Sequence, residues 1–171
     1  MAALSAEEMA RAKLLQFCKY VSPQYEIAGH HRVIAGALEK VARGEIMRLM
    51  LFLPPRHGKS FLASTHFPAW FLGRSPSAQI IACTYAQEFA DDIGRSVRNL
   101  VDEPEYGRVF PGVTLRTDSK SAKRFHTSQG GVYAAVGAGG SFQGSPVPRV
   151  AIAVRMNERM GSTSGPSMRT A

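Results

Sequence analysis

The sequence predicts an α/β fold with a mainly parallel sheet flanked by helices, on three observations. Two continuous apolar runs, "MRLMLFL" (47–53) and "QIIACTY" (79–85), read as strands buried on both faces, because such strands show no polar alternation. Helical patterns follow both runs, which gives the strand, loop, helix, strand, helix order of a βαβ unit. The 171 residues, 44% hydrophobic and 20% charged, have room for about one ordinary domain with a packed core.

From the N-terminus, Ser5 and Glu8 form an S-x-x-E capping box, and Leu14, Phe17, Cys18 and Val21 follow helical spacing. One helix from Ser5 to Val21 is therefore expected. "SPQYEIAG" breaks it. A second helix is expected from His30 to Arg43, with Ile34, Leu38 and Val41 on one face and Gly44 at its end. The segment 1–44 thus reads as a helical lead-in to a core over 45–144. Within that core, Lys59 to Leu72 predicts a helix stopped by Gly73 and Pro76. Thr84 is placed to cap the next helix, where Phe89, Ile93, Val97 and Leu100 share a face.

Past Pro104 the texture changes. "EPEYGRVFPGV" reads as turns, and "KRFHT" and "VYAAVG" flank "SQGG" as a hairpin. "GAGGSFQGSPVP" is a glycine-rich loop, "RVAIAV" a last apolar run, and the end of the chain has the composition of a disordered tail. The segment 145–171 is set apart as atypical.

Composition excludes some classes. No run approaches the ~18 apolar residues of a membrane span. The start, "MAALSAEEMARAK", lacks the apolar centre of a secretion signal. Cys18 and Cys83, far apart and near no histidine cluster, suit neither a disulfide framework nor a zinc site. Both read as core thiols in a reducing, cytoplasmic setting. The formal charge of +8 fits a polyanionic partner. From Ser119 onward seven bases face one acid, Glu158, which puts a balance of +6 there. A nucleic-acid surface and a solvated tail are both open readings of that excess.

The chemistry lies in "LFLPPRHGKSFLAS". Gly58, Lys59 and Ser60 fill the last three positions of the phosphate-loop pattern G-x-x-x-x-G-K-[ST], but the first glycine falls at Leu53. Gly-Lys-[Ser/Thr] alone arises by chance in roughly one chain in ten of this size. The strand before it and the helix and strand after it are what make it informative. Amides at the helix start would face phosphates, with the helix dipole adding to their pull. Lys59 would reach the β and γ phosphates, and the Ser60 hydroxyl would bind Mg²⁺. Pro54 and Pro55 have no N–H to join the cradle, so the donors would come from about Arg56 to Phe61. Arg56 adds a charged fork suited to phosphate oxygens. Gly58 admits a close backbone approach. Pro55, Arg56, His57, Gly58, Lys59, Ser60 and Phe61 form the candidate nucleotide site, with Lys59 and Arg56 as its candidate catalytic residues.

The run from "FLPPRHGKSFLASTHFPAWFLGRSPSAQIIACTYAQEF" onward resembles the ATPase domain of tailed-phage terminase large subunits, the motors that package viral DNA. One branch of that family writes its Walker A loop P-P-R-H-G-K-S, followed by F-P-A-W-[FY]-L-G-R-x-P. "HHRVIAGALEKVARGEIMRLMLFLPP" upstream and "VFPGVTLRTDSKSAKRFHTSQGGVYAAVGAGGSFQG" downstream are also similar to it, so the resemblance spans about Tyr20 to Gly144. It implies a P-loop fold of the ASCE/RecA-like type, with ATP and Mg²⁺ as cofactors. The implied partners are double-stranded DNA, a portal protein and a small terminase subunit, with a homo-oligomeric ring for the full-length protein, no membrane, and the bacterial host cytoplasm as location. It further implies a γ-phosphate role for Arg56, a β/γ-phosphate role for Lys59 and Mg²⁺ ligation by Ser60. Tyr25, His30 and His31 resemble the family's adenine-side segment, although the two histidines read more readily as polar residues of a helix start.

The resemblance stops after Gly144. The family continues to a strand ending in two acids, one supporting Mg²⁺ and one polarising the attacking water. Here "VAIAV" is followed by Arg155 and Met156, and Glu158 is out of register. The expectation is a truncated or frame-shifted fragment with an out-of-frame tail from about Ser145, hydrolysis-impaired and without the family's nuclease domain. A split subunit whose acids arrive on another chain is the alternative. Two other functions stay open: another nucleic-acid-directed P-loop ATPase, and a non-catalytic polyanion-binding fragment.

Among the remaining polar residues, His57 has no acid partner for a triad and reads as loop. His66 and His126 read as helix and strand residues, and Asp91 and Asp92 as an exposed helix face.

Overall fold

Ser5 starts the first helix as its spacing requires. Its hydroxyl accepts from the Glu8 N–H at 3.2 Å, and the Glu8 carboxylate accepts from the Ser5 N–H at 2.7 Å. The helix does not run on to Val21. In the computed structural model, which describes residues 4–54, 57–137 and 150–154, it divides into α1 (Ala6–Ala12) and α2 (Leu14–Val21) at Lys13, whose backbone is extended at φ −129° and ψ 128°. The partner for the break is Glu39. Its carboxylate accepts from the buried Leu14 N–H at 3.0 Å and from Lys13 Nζ at 3.2 Å. An acid 25 residues away thus caps α2 in place of the preceding turn, which no local pattern could reveal.

Glu39 belongs to α3 (Gly29–Arg43), which ends as expected on Gly44 in the left-handed conformation, φ +79°. The next segment departs from expectation. Residues 45–54 form no strand, although "MRLMLFL" reads as one buried on both faces. Leu49, Leu51 and Leu53 pack partly against the core, while Met47, Met50 and Phe52 are 75% exposed or more. Apart from Arg48 the run is continuously apolar and so has no period, which leaves open whether one face or two will be covered.

After the loop the chain enters π-helical turns, Ser60–His66, and continues directly into α4 (Phe67–Arg74). The single α-helix expected over this span is widened in its first half. Pro68 accounts for this: its ring would meet the Ser64 carbonyl in a regular α-helix, and it has no N–H to offer it. The Phe61 carbonyl lies 2.9 Å from His66 Nδ1, a side-chain partner within the widened turn.

The sheet has five strands in the order β2-β3-β4-β1-β5: β1 Gln79–Thr84, β2 Leu115–Lys120, β3 Arg124–Thr127, β4 Val132–Gly137 and β5 Val150–Val154. β1 runs parallel to β4 and β5, whereas β2 and β3 are antiparallel to their neighbours. The sheet is therefore mixed, not mainly parallel, because the β3–β4 hairpin folds back onto its edge and carries β2 with it. That hairpin is the one expected around "SQGG", with Phe125 opposite Tyr133 and their rings stacked at 5.1 Å. β5, the "VAIAV" run, pairs in parallel with β1 inside the segment set apart as atypical; the rest of 145–171 lies outside the described residues.

α5 (Gln87–Asp102) packs on β1 and β4, and the π-helical turns pack on β5. Ile93, Val97 and Leu100 are buried as their spacing predicts, with Phe89 half-buried. Thr84 does not cap α5: its hydroxyl donates to the Ala86 carbonyl at 2.6 Å, and Ala86 is the capping residue. "EPEYGRVFPGV" folds mostly as α6 (Pro104–Val109), opened by its proline. One sheet face is partly bare. Ile80, Ala82 and Thr84 are buried, but Cys83 and its register partner Ala153 are exposed. Cys18 is a core thiol as read; Cys83 is not.

The Glu39 cap makes a direct prediction. Glu39→Ala leaves the buried Leu14 N–H without an acceptor and is expected to cost about 1–3 kcal/mol in urea denaturation. Glu39→Gln keeps an acceptor and gives up mainly the pairing to Lys13, which is 64% exposed, so it should stay within about 1 kcal/mol of wild type.

Candidate functional site

His57, Gly58 and Lys59 lead into the π-helical turns. Gly58 has φ +71°, in the left-handed region that side chains resist. Space forbids a side chain there too: a Cβ on Gly58 would lie 2.8 Å from His31 Nε2. Lys59 follows with helical angles, φ −54° and ψ −53°. The Gly58 carbonyl accepts from the Leu62 N–H at 3.0 Å, so the Ser60 and Phe61 amides precede the first helical bond. A left-handed glycine turning directly into a helix start is the local geometry that concentrates backbone donors. Ser60 is exposed at this start, and Phe61 is half-buried. Pro55 and Arg56 lie outside the described residues.

Aromatic rings line the loop. Tyr25 stacks on Phe61 with centroids 4.5 Å apart and on His31 at 5.2 Å. His30 meets His31 at 4.0 Å and His57 at 5.7 Å. The structure therefore brings together Tyr25, His30, His31, His57, Gly58 and Phe61, which the sequence singled out on separate grounds. Two buried polar atoms here, Tyr25 Oη and His30 Nε2, have no hydrogen-bond partner among the described residues. Burial pushes the Tyr25 phenol up to about 12, so it stays a neutral donor.

His66 lies behind the loop and serves the core. It is 4% exposed, and burial pushes it down to about 4, against a smaller opposing effect of the Phe61 carbonyl. The neutral ring with its proton on Nδ1 donates to that carbonyl, which leaves Nε2 to accept from the Ser22 hydroxyl at 3.4 Å.

The acidic pair divides. Asp92 is exposed and bonded to Arg95 at 2.9 Å, whereas Asp91 is mostly covered and accepts from Gln87 Nε2 at 2.6 Å. No group of three or more His, Cys, Asp or Glu among the described residues could hold a metal ion. Two open depressions, of about 650 and 520 Å³, lie away from the loop, one beside Arg116 and Asp118 and one between Arg43 and Arg74. Among the described residues no helix is long and apolar enough to cross a membrane.

The sequence alone did not reveal that α3 supports the loop through His31. The one available signal was a histidine at the third helical position, where Glu or Gln usually completes a capping box. Comparison with known proteins adds no identification: no protein family, curated protein or solved structure matches this chain.

His66 makes stability depend on pH. Its folded value is depressed, so the unfolded chain takes up the proton first as pH falls. The stability it contributes is present above about pH 6.5 and is lost as pH drops toward about 4, by up to about 3 kcal/mol. Urea midpoints between pH 7.5 and 4.5 should fall more steeply for wild type than for His66→Gln.

Proposed function

We propose that this chain is the ATP-binding portion of a terminase large subunit, a motor that drives double-stranded DNA into a viral procapsid. The observation that carries the reading is the geometry at Gly58 and Lys59: a left-handed glycine opening a helix on the Gly-Lys-Ser sequence. The resemblance of the surrounding segments to terminase ATPase domains supplies the substrate. In this reading the ATPase core is of the P-loop, ASCE/RecA-like type.

Lys59 would take the β and γ phosphates, and the amides from His57 to Phe61 would surround them. Arg56 would add a second cation. Mg²⁺ fits as a partner of the nucleotide, because it keeps most of its waters and needs one protein hydroxyl, which exposed Ser60 offers. When bound, it would neutralise phosphate charge. Tyr25 and His30 would lie on the base side, where Tyr25 is part of a stacked aromatic surface.

Binding and turnover separate in this chain. β5 is followed in sequence by Arg155 and Met156, where the reaction needs carboxylates. Hydrolysis is therefore slow, since losing such a group typically costs several kcal/mol of transition-state stabilisation. The portal protein, the small subunit, the ring and the host cytoplasm belong to the same proposal.

The test is calorimetry of Mg·ATP with the purified chain and with Lys59→Ala. The expected result is measurable binding that the variant weakens by about 10- to 100-fold. Absence of binding to the unmodified chain sinks the reading. If duplex DNA binds with strong salt dependence and Lys59→Ala leaves both ligands unaffected, the chain is a polyanion-binding fragment instead.

A further inference from the structure

We propose that His31 is a positioning residue for the loop: it fixes the backbone at His57 and Gly58 from behind and contacts no ligand. The proposal rests on the nucleotide reading only for the identity of what the loop holds. The contact itself can be tested without it.

His31 is 8% exposed and sits at the third position of α3. Ala28 precedes the helix and has no side-chain acceptor, so only one half of a capping box is available. His31 makes that half, because its Nδ1 accepts from the Ala28 N–H at 3.1 Å. A ring nitrogen that accepts carries no proton, which puts the proton of the neutral imidazole on Nε2. Nε2 lies 3.4 Å from the His57 carbonyl oxygen and can only donate to it. The same atom lies 2.8 Å from where a Cβ on Gly58 would sit, closer than such contacts normally come. One hydrogen bond at the start of α3 therefore sets the tautomer, and the tautomer sets a second bond to the loop.

The ring's orientation is fixed independently. Tyr25 stacks on His31, and Phe61, just after the loop, stacks on Tyr25. His31 thus touches the loop before the lysine, and through Tyr25 it is tied to the helix after it. The loop is clamped to α3 on both flanks of Lys59. Without the clamp the loop must be ordered at the expense of ligand affinity. Phosphate-bearing ligands are then affected equally, whatever base they carry.

This consequence separates positioning from contact with a base. Mg·ATP and inorganic tripolyphosphate are titrated into the full chain and into His31→Ala, His31→Gln and His30→Gln. His31→Ala is expected to weaken both ligands by the same factor, about tenfold. His31→Gln should recover most of the loss, since its amide can accept from Ala28 and donate to the loop. His30→Gln should leave tripolyphosphate unchanged. A loss confined to ATP in His31→Ala overturns the proposal, and so does no loss at all.

Nitrogen-15 spectra of the imidazole rings at pH 8, without ligand, give a reading that needs no nucleotide. The expected result is a fixed His31 ring protonated at Nε2, with the Gly58 amide signal displaced in His31→Ala. An Nδ1 proton, or the averaged pair of an unconstrained ring, overturns the proposal even if ATP binds. If neither ligand binds the unmodified chain, the nucleotide reading falls and the ring spectra alone decide the clamp. Thermal melts of each variant separate loss of the clamp from loss of the fold.

Discussion

The fold depends on one helix that must be covered on every side. Phe67 to Leu72 are six consecutive buried residues in α4, so every face of the helix is covered over that stretch and only its end at Arg74 is exposed. The polar groups this brings into the interior need partners, and they find them across the chain. Trp70 Nε1 donates to the Ala10 carbonyl at 3.1 Å, and the Tyr106 hydroxyl donates to the Ala69 carbonyl at 3.0 Å. The first of these bonds ties α4 to α1, and the second ties it to α6. Phe17 of α2 adds edge contacts to Tyr106 and His66. The N-terminal helices are therefore the outer layer that lets the helix behind the loop exist. The Glu39 cap, which bends α1 against α2, keeps that layer in place. Because α4 continues the π-helical turns without a break, fixing α4 also fixes the point from which Gly58 and Lys59 project.

Periodic elements were legible in the sequence, and elements decided by distant partners were not. The α5 stripe, the end of α3 at Gly44 and the β3–β4 hairpin each carry a local signal with a physical cause: amphipathic spacing, a left-handed cap and a short glycine turn. The break at Lys13 has no such signal, since its cause is a carboxylate in another helix. The widened helix after the loop was legible in principle through Pro68, whose ring and missing N–H act within one turn. "MRLMLFL" and "QIIACTY" misled in the same way. Both are mostly apolar, apart from Arg48 in the first and Gln79 and Thr84 in the second, yet Phe52 and Cys83 are exposed, because coverage of the second face is supplied by other segments. The site was partly legible. Gly-Lys-Ser located the loop and His31 was singled out, but its contact with Gly58 depends on how α3 docks.

These exposed residues share one side of the architecture's logic. A strand within a parallel sheet needs cover on both faces, and β1 has it on one. Among the described residues β5 closes one end of the sheet and pairs only with β1, and the apolar segment before the loop joins no ladder. Met47, Met50 and Phe52 add side chains that water does not favour. The well-covered part of the molecule is the packing of α4 against α2, α5 and α6, while the less covered part is the sheet face and the segment that leads into the loop.

That division bears on what the loop can do. A phosphate cradle needs a rigid backbone more than a deep cavity, since its donors are amides already aimed by the helix start. Rigidity here comes from the covered side: α4 anchors the far end of the helix, and the stack of His31, Tyr25 and Phe61 anchors the near end. Catalytic carboxylates, by contrast, would have to come from the carboxyl ends of the parallel strands, where Thr84, Gly137 and Val154 stand in register. None of those three is an acid, and the residues that follow β5 in sequence are a base and a thioether. The interactions that hold the loop are thus independent of the strand ends where hydrolysis would be organised. If the loop holds a nucleotide as proposed, the first set can be intact while the second lacks its carboxylates, so binding and turnover would be physically separable.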